Sequence, residues 1–175
     1  DDGEPGDLFG HSVAMSGTTV IIGAHHDDDN GDFSGSAYLF DAGTGEQLFK
    51  LLATDGADRD QFGSSVAISG ETAIVGARLN DARGTRSGAA YLFDTATGEQ
   101  IAKIVPGDGT AQDFFGQAVA MSGNIAIVGS PQDGDDGFES GSAYIFDTET
   151  GDGRGVWRLR GDQRHDRHCW CVQRR

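Results

Sequence analysis

Ser34-Gly35-Ser36-Ala37-Tyr38-Leu39-Phe40-Asp41 returns as Ser87 to Asp94 and again as Ser140 to Asp147, each time 53 residues further on. Other anchors keep the same shift without a gap. Phe9-Gly10 recurs as Phe62-Gly63 and Phe115-Gly116, Ser16-Gly17 as Ser69-Gly70 and Ser122-Gly123, and Gly23 as Gly76 and Gly129. Thr44-Gly45, Thr97-Gly98 and Thr150-Gly151 close each copy. A period held by this many anchors marks a repeat architecture, in which one supersecondary unit is stacked on its neighbours. The units run over residues 1–53, 54–106 and 107–160, leaving 161–175 as a tail.

Within the first unit the pattern predicts four short strands, at roughly 11–16, 18–24, 35–41 and 46–53, each bounded by glycine or polar turn residues. No segment carries a helical period. The first and third strands alternate, with Val13 and Met15 on one face and Tyr38 and Phe40 on one face of theirs. The second, Val20-Ile21-Ile22-Gly23, is apolar throughout, as a strand covered on both sides should be. A chain with 28 glycines and 3 prolines suits many short strands joined by tight turns. The expected class is all-β, with four antiparallel strands per unit and the units laid face to face as blades.

The order Phe-Gly, Ser12-Val13-Ala14, Ile21-Ile22-Gly23-Ala24 and Gly35-Ser36-Ala37-Tyr38-Leu39-Phe40 resembles the FG-GAP repeat of integrin α chains and many secreted bacterial proteins. The later copies read Ile74-Val75-Gly76-Ala77 and Ile127-Val128-Gly129-Ser130-Pro131. The resemblance runs from Asp1 to Gly151. It implies a β-propeller at the cell surface or outside the cell that serves binding or adhesion rather than catalysis. Closed propellers use about 4 to 8 blades. Three blades are therefore expected to form an open arc with two exposed faces, completed by further blades of a longer parent. The opening Asp1-Asp2-Gly3 is neither a signal peptide nor an initiator methionine, in keeping with that expectation.

Charge divides the chain. Residues 1–151 hold 25 acids against six bases, a net of −19, while residues 152–175 hold seven arginines against three aspartates, a net of +4. The acidic body repels nucleic-acid phosphates and anionic headgroups and favours cations and basic partners. No apolar run approaches the length of a membrane span. The repeats contain no cysteine, so no disulfide framework holds them.

In an antiparallel meander the loop between strands 2 and 3 and the linker to the next unit emerge at one edge. Eighteen of the 25 body acids fall in these segments. One rim is thus expected to be strongly acidic and to meet a protein or glycan ligand, as the resemblance to integrin propellers implies. The sharpest motif there is Asp27-Asp28-Asp29-Asn30-Gly31-Asp32, echoed by Asp133-Gly134-Asp135-Asp136-Gly137. Carboxylates at alternate positions with a glycine between them suit calcium, so Asp27, Asp29, Gly31, Asp133, Asp135 and Gly137 are the expected ligand positions. The middle copy, Asn80-Asp81-Ala82-Arg83-Gly84, loses the pattern. Integrin-type repeats carry their calcium motif between the FG and GAP elements, where this chain has only a Ser-Gly turn. The calcium expectation therefore rests on local spacing alone.

No residue is assigned a catalytic role. A hydrolase or lyase acting on polysaccharide is the enzymatic alternative, since rim aspartates could supply a carboxylate pair, though nothing singles one out. A purely structural array is the third reading. His25-His26 does not recur and reads as an exposed loop pair, and the recurring tyrosines and phenylalanines read as core between blades. After Gly151 the repeat fails, although Val156-Trp157-Arg158-Leu159 stands in for Leu48-Phe49-Lys50-Leu51 with a two-residue insertion. His165, His168, Cys169 and Cys171 match no zinc spacing well, and Arg160-Gly161-Asp162 is a tripeptide match of little weight. Residues 161–175 are expected to be disordered or out of frame.

Overall fold

A computed structural model describes residues 3–134 and 140–149, together with the strands Trp157–Arg160, His165–Arg167 and Cys171–Arg174. The first unit forms β1 (Ser12–Ser16), β2 (Thr19–Ala24), β3 (Ser36–Asp41) and β4 (Gln47–Leu51), paired in sequence order as an antiparallel sheet. The second forms β5 (Phe62–Ser69), β6 (Thr72–Ala77), β7 (Ala89–Asp94) and β8 (Gln100–Val105) in the same order. The third forms β9 (Ala118–Ser122), β10 (Ile125–Ser130) and β11 (Ser142–Asp147).

Turn chemistry accounts for the meander. Ser16 pairs with Thr19 across a two-residue loop whose first member, Gly17, has φ +60°. Gly70 and Gly123 repeat this at +58° and +55°. A glycine at the first central position is what a type II′ hairpin needs. On the other hairpin the Asp41 carboxylate accepts from the backbone N–H of Gly43 (2.8 Å) and Thr44 (2.9 Å), and Asp94 and Asp147 repeat the device.

The sheets stack face to face, and the period-two alternation assigns each side chain to one neighbour. Val66, Ile68, Val75, Tyr91 and Phe93 of the middle sheet pack with Ile21, Leu39 and Leu51 of the first. Ala67, Ile74, Ala90 and Leu92 turn the other way and pack with Phe115, Val128, Tyr144 and Phe146 of the third. Tyr91, Phe93, Tyr144 and Phe146 are thus core between sheets, as the pattern implied, while Tyr38 and Phe40 of the first sheet pack against the exposed Phe9 on its leading face. None of the sheets closes on itself, and the arc is open.

The fourth strand of the last unit is β12 (Trp157–Arg160), which pairs with β11 so that Leu159 lies opposite Ala143. Leu51 opposite Ala37 and Ile104 opposite Ala90 are the same arrangement. Beyond β12, β13 (His165–Arg167) pairs back onto it and β14 (Cys171–Arg174) pairs with β8, and the rest of 161–175 lies outside the described residues. An outer strand presents a row of unpaired N–H and C=O groups, which any extended segment can satisfy whatever its side chains.

Adjacent sheets touch through glycine backbone. A Cβ on Gly23 would run into the Gly63 carbonyl, and one on Gly76 into the Gly116 carbonyl. Ser12 and Ser65 donate their hydroxyls to those same carbonyls, each at 2.7 Å. Gly129 holds the equivalent place in the third sheet, yet a Cβ there would find its nearest neighbour at 3.6 Å. Gly76→Ala is therefore expected to destabilise the chain by at least about 2 kcal/mol in denaturant unfolding, through forced separation of two packed sheets. Gly129→Ala, the same change in the same motif, is expected to leave the unfolding midpoint nearly unmoved.

Candidate functional site: the acidic rim

The β2–β3 loop of one unit and the linker of the next are zipped together at one edge of the arc. The N–H groups of Arg59, Gln61 and Phe62 donate to the carbonyls of Asp32, Phe33 and Ser34 at 2.7, 3.1 and 2.9 Å. One unit later, Gln112, Phe114 and Phe115 donate to Thr85, Arg86 and Ser87 at 2.9, 3.2 and 2.9 Å. The zipper requires left-handed backbone at residues other than glycine: Phe33, Arg59, Gln61, Arg86, Gln112 and Phe114 have φ between 54° and 69°. Such conformations cost roughly 1 kcal/mol or more each and persist only where surrounding bonds hold them. The rim loops are thus fixed in shape, and the two sets of acidic segments do share one edge.

Asp27 and Asp29 do converge on a cation, but the cation is an amino group. Lys50, reaching up from β4, places Nζ 3.1 Å from Asp27 and 2.6 Å from Asp29. Asp27 is buried, and its oxygens also accept from the Ser36 hydroxyl (3.0 Å), the Tyr38 hydroxyl (2.9 Å) and the Asp29 N–H (3.2 Å). Burial pushes this carboxyl up, but Lys50 and those hydrogen bonds outweigh it and hold it below the usual carboxylate range. Asp27 is thus engaged by four donors of its own unit. Gly31 (φ +128°) packs its α-carbon against the Asp58 side chain. Asp133 is buried and accepts from the Tyr144 hydroxyl at 2.6 Å, while Asp135 and Gly137 lie outside the described residues. Among the described residues no three histidines, cysteines or carboxylates are grouped to hold a metal ion.

The middle unit rebuilds the same cluster from different partners. Asn80 replaces Asp27, and Lys103, the counterpart of Lys50, bonds Asp55 at 2.7 Å and the Asn80 side-chain oxygen at 3.0 Å. The Tyr91 hydroxyl donates to Asp55 at 3.0 Å. Burial pushes the Tyr91 phenol well up, and the Asp55 charge adds to it. Asn80 also donates to Asp60 at 2.7 Å. Burial raises the Asp60 carboxyl despite that bond.

Asp60 belongs to a set that reading for loop motifs missed. Asp7, Asp60 and Asp113 stand two residues before each Phe-Gly. All three are buried, and each accepts from the N–H three residues earlier, of Glu4, Ala57 and Thr110, at 2.6, 3.1 and 2.6 Å. The signal was the period itself.

His25 corrects the expectation of an exposed pair. It is buried between His11 and His26, with ring centroids 4.0 and 4.3 Å away, and His26 continues the stack onto Phe33 at 4.6 Å. Its Nδ1 has no hydrogen-bond partner among the described residues. Burial, the two neighbouring imidazoles and Arg78 lower its pKa to about 4. Beside this stack the rim opens into a depression of about 240 Å³ lined by Glu4, Asp7, His26, Asp28, Asp32 and Phe33.

The FG-GAP repeat profile matches residues 1–40, 46–93 and 99–146. The chain belongs to the FG-GAP repeat family. The second and third matches begin at the outer strand of one sheet and run through three strands of the next, so the family's unit is out of phase with the sheets by one strand. Among curated proteins no relative matches. A solved structure titled "Structure of U3-55K" is similar over 85% of this chain and 36% of that chain, at 11% identity and a TM-score of 0.53, which speaks to the fold alone.

Three outcomes follow for this FG-GAP chain. Lys50→Met leaves Asp27 buried without its counter-charge and is expected to cost roughly 3 kcal/mol in denaturant unfolding. Millimolar calcium is expected to leave the wild-type melting temperature unchanged, because Lys50 already occupies the point between Asp27 and Asp29. Stability is also expected to fall between pH 6.5 and about 4. The folded His25 pKa lies below its ordinary value, so in that window protons favour the unfolded chain. Melting curves of His25→Phe should lose most of that slope.

Proposed function

We propose that the chain is a non-enzymatic binding module of a cell-surface or secreted protein, and that its acidic rim receives a basic segment of a partner protein. The observation that carries this reading is the rim depression between Glu4, Asp28 and Asp32, with Phe33 half exposed beside it. Three exposed carboxylates close to an aromatic face suit a lysine or arginine side chain, through charge and cation–π attraction. The buried aspartates have other work: Asp27 and Asp60 are bonded within their own units. What faces outward beyond the lysine pairs is Asp28, Asp32, Asp58 and Asp81, on loops held by the zipper. Rigid loops place this charge without an ordering cost on binding. No helix of the described residues is long and apolar enough to cross a membrane.

Titration with a fluorescent octa-arginine peptide tests the reading. Binding is expected to weaken steeply with salt, and to fall at least tenfold in Asp28→Asn with Asp32→Asn. Glu46→Gln with Glu99→Gln, on the opposite edge, should leave affinity unchanged. Equal losses from both pairs would reduce the interaction to net charge and overturn the rim assignment. Cleavage of a polysaccharide, abolished by the Asp28 and Asp32 substitutions, would replace it with the enzymatic reading.

A further inference from the structure

The arc ends in two apolar faces that are the two halves of one interface. On the leading face of the first sheet Phe9, Val13 and Met15 are 53%, 65% and 64% exposed, whereas Phe62, Val66 and Ile68 at the same positions of the second sheet are 0%, 8% and 7%. On the trailing face of the third sheet Ile127 is 39% exposed, whereas its counterparts Ile21 and Ile74 are fully buried. Ile125, beside it, is also exposed. Inside the arc these rows meet each other: Ile21 of the first sheet packs with Val66 and Ile68 of the second. The backbone is prepared as well. Gly129 has the open space into which Gly23 and Gly76 receive a glycine carbonyl, and no atom comes near the Cβ position of Gly10.

We propose that a second copy of this chain fills both faces, docking head to tail so that Phe9, Val13 and Met15 of each copy cover Ile125 and Ile127 of the other. Face complementarity is inherited from the two internal interfaces, so no new chemistry is required. A four-stranded face of five-residue strands measures about 19 by 17 Å. One such contact is small against the ~800 Å² per partner of a standard interface. Two copies closing on each other make both contacts at once, the second at an effective concentration in the millimolar range. The result is a ring of six sheets, inside the range of 4 to 8 that propellers use. Ala118, where Ser12 and Ser65 carry the hydroxyl that binds the opposing carbonyl, leaves each new contact one hydrogen bond short of the internal ones.

Sedimentation equilibrium of the chain between 1 and 200 µM tests this. The expected species is a dimer of the 18.4 kDa chain. Ile127→Asp and Met15→Lys should each weaken association at least 100-fold while keeping the circular dichroism spectrum, since both positions are solvent-exposed in the single chain. An equimolar mixture of the two variants should restore the dimer at low salt, because one contact is then native and the other pairs Asp with Lys. A wild-type chain that stays monomeric to 200 µM overturns the proposal and assigns the faces to further repeat units. A dimer that neither substitution weakens also overturns it, as does an open ladder of trimers and larger species.

Discussion

Two sheets can approach closely enough to share a core only where the backbones between them carry no β-carbon. In this chain that constraint falls on Gly23 against Gly63 and on Gly76 against Gly116. Each contact joins the second strand of one sheet to the first strand of the next, and a serine hydroxyl fixes the carbonyl that crosses the gap. The Phe-Gly and Gly-Ala elements of the family are therefore two sides of one contact. Their meaning lies between units, which is why the period of the chain is kept so strictly at these positions while the loops vary.

The rim follows from the same contact. Once Gly63 is seated against Gly23, the linker before it must run alongside the β2–β3 loop, and the parallel bridge between Gly35 and Phe62 registers the two. Left-handed residues recur at this crossing, Gln61 and Phe114 in one row and Phe33 and Arg86 in another. Repetition of the same backbone at each junction assigns it to architecture. Its functional consequence is indirect: loops that would otherwise be free to adapt are held, and their carboxylates are displayed at set positions.

Much of this was legible in the residues. Strand positions fell within two residues of those observed, because the glycine turns and alternating pattern are local signals that the tertiary structure does not override. The common edge of the acidic segments followed from meander topology alone. Reading stopped where partners come from far along the chain. Asp27-Asp28-Asp29 resembles a cation loop only when viewed by itself; Lys50, 23 residues beyond Asp27, supplies the positive charge from another strand. The burial of His25 was equally hidden, since it depends on His11 lying on the neighbouring strand. Asp7, Asp60 and Asp113 were visible in the period and were passed over because they stand singly.

The lysine cluster separates structural acid from functional acid. In the first unit the ammonium sits between Asp27 and Asp29; in the second, where position 80 is asparagine, it turns to Asp55 instead. The tyrosine hydroxyl moves with it, from Asp27 to Asp55. The pairing is exchanged while the local balance of charge under the rim is kept, as a buried cation beside aromatic rings demands. A carboxylate in this layer is present to match a lysine, and its exact position is free to change between copies. Asp28 and Asp32 lie outside these lysine pairs. Their place around the rim depression, beside Phe33 and the histidine stack, is a property that the architecture does not require.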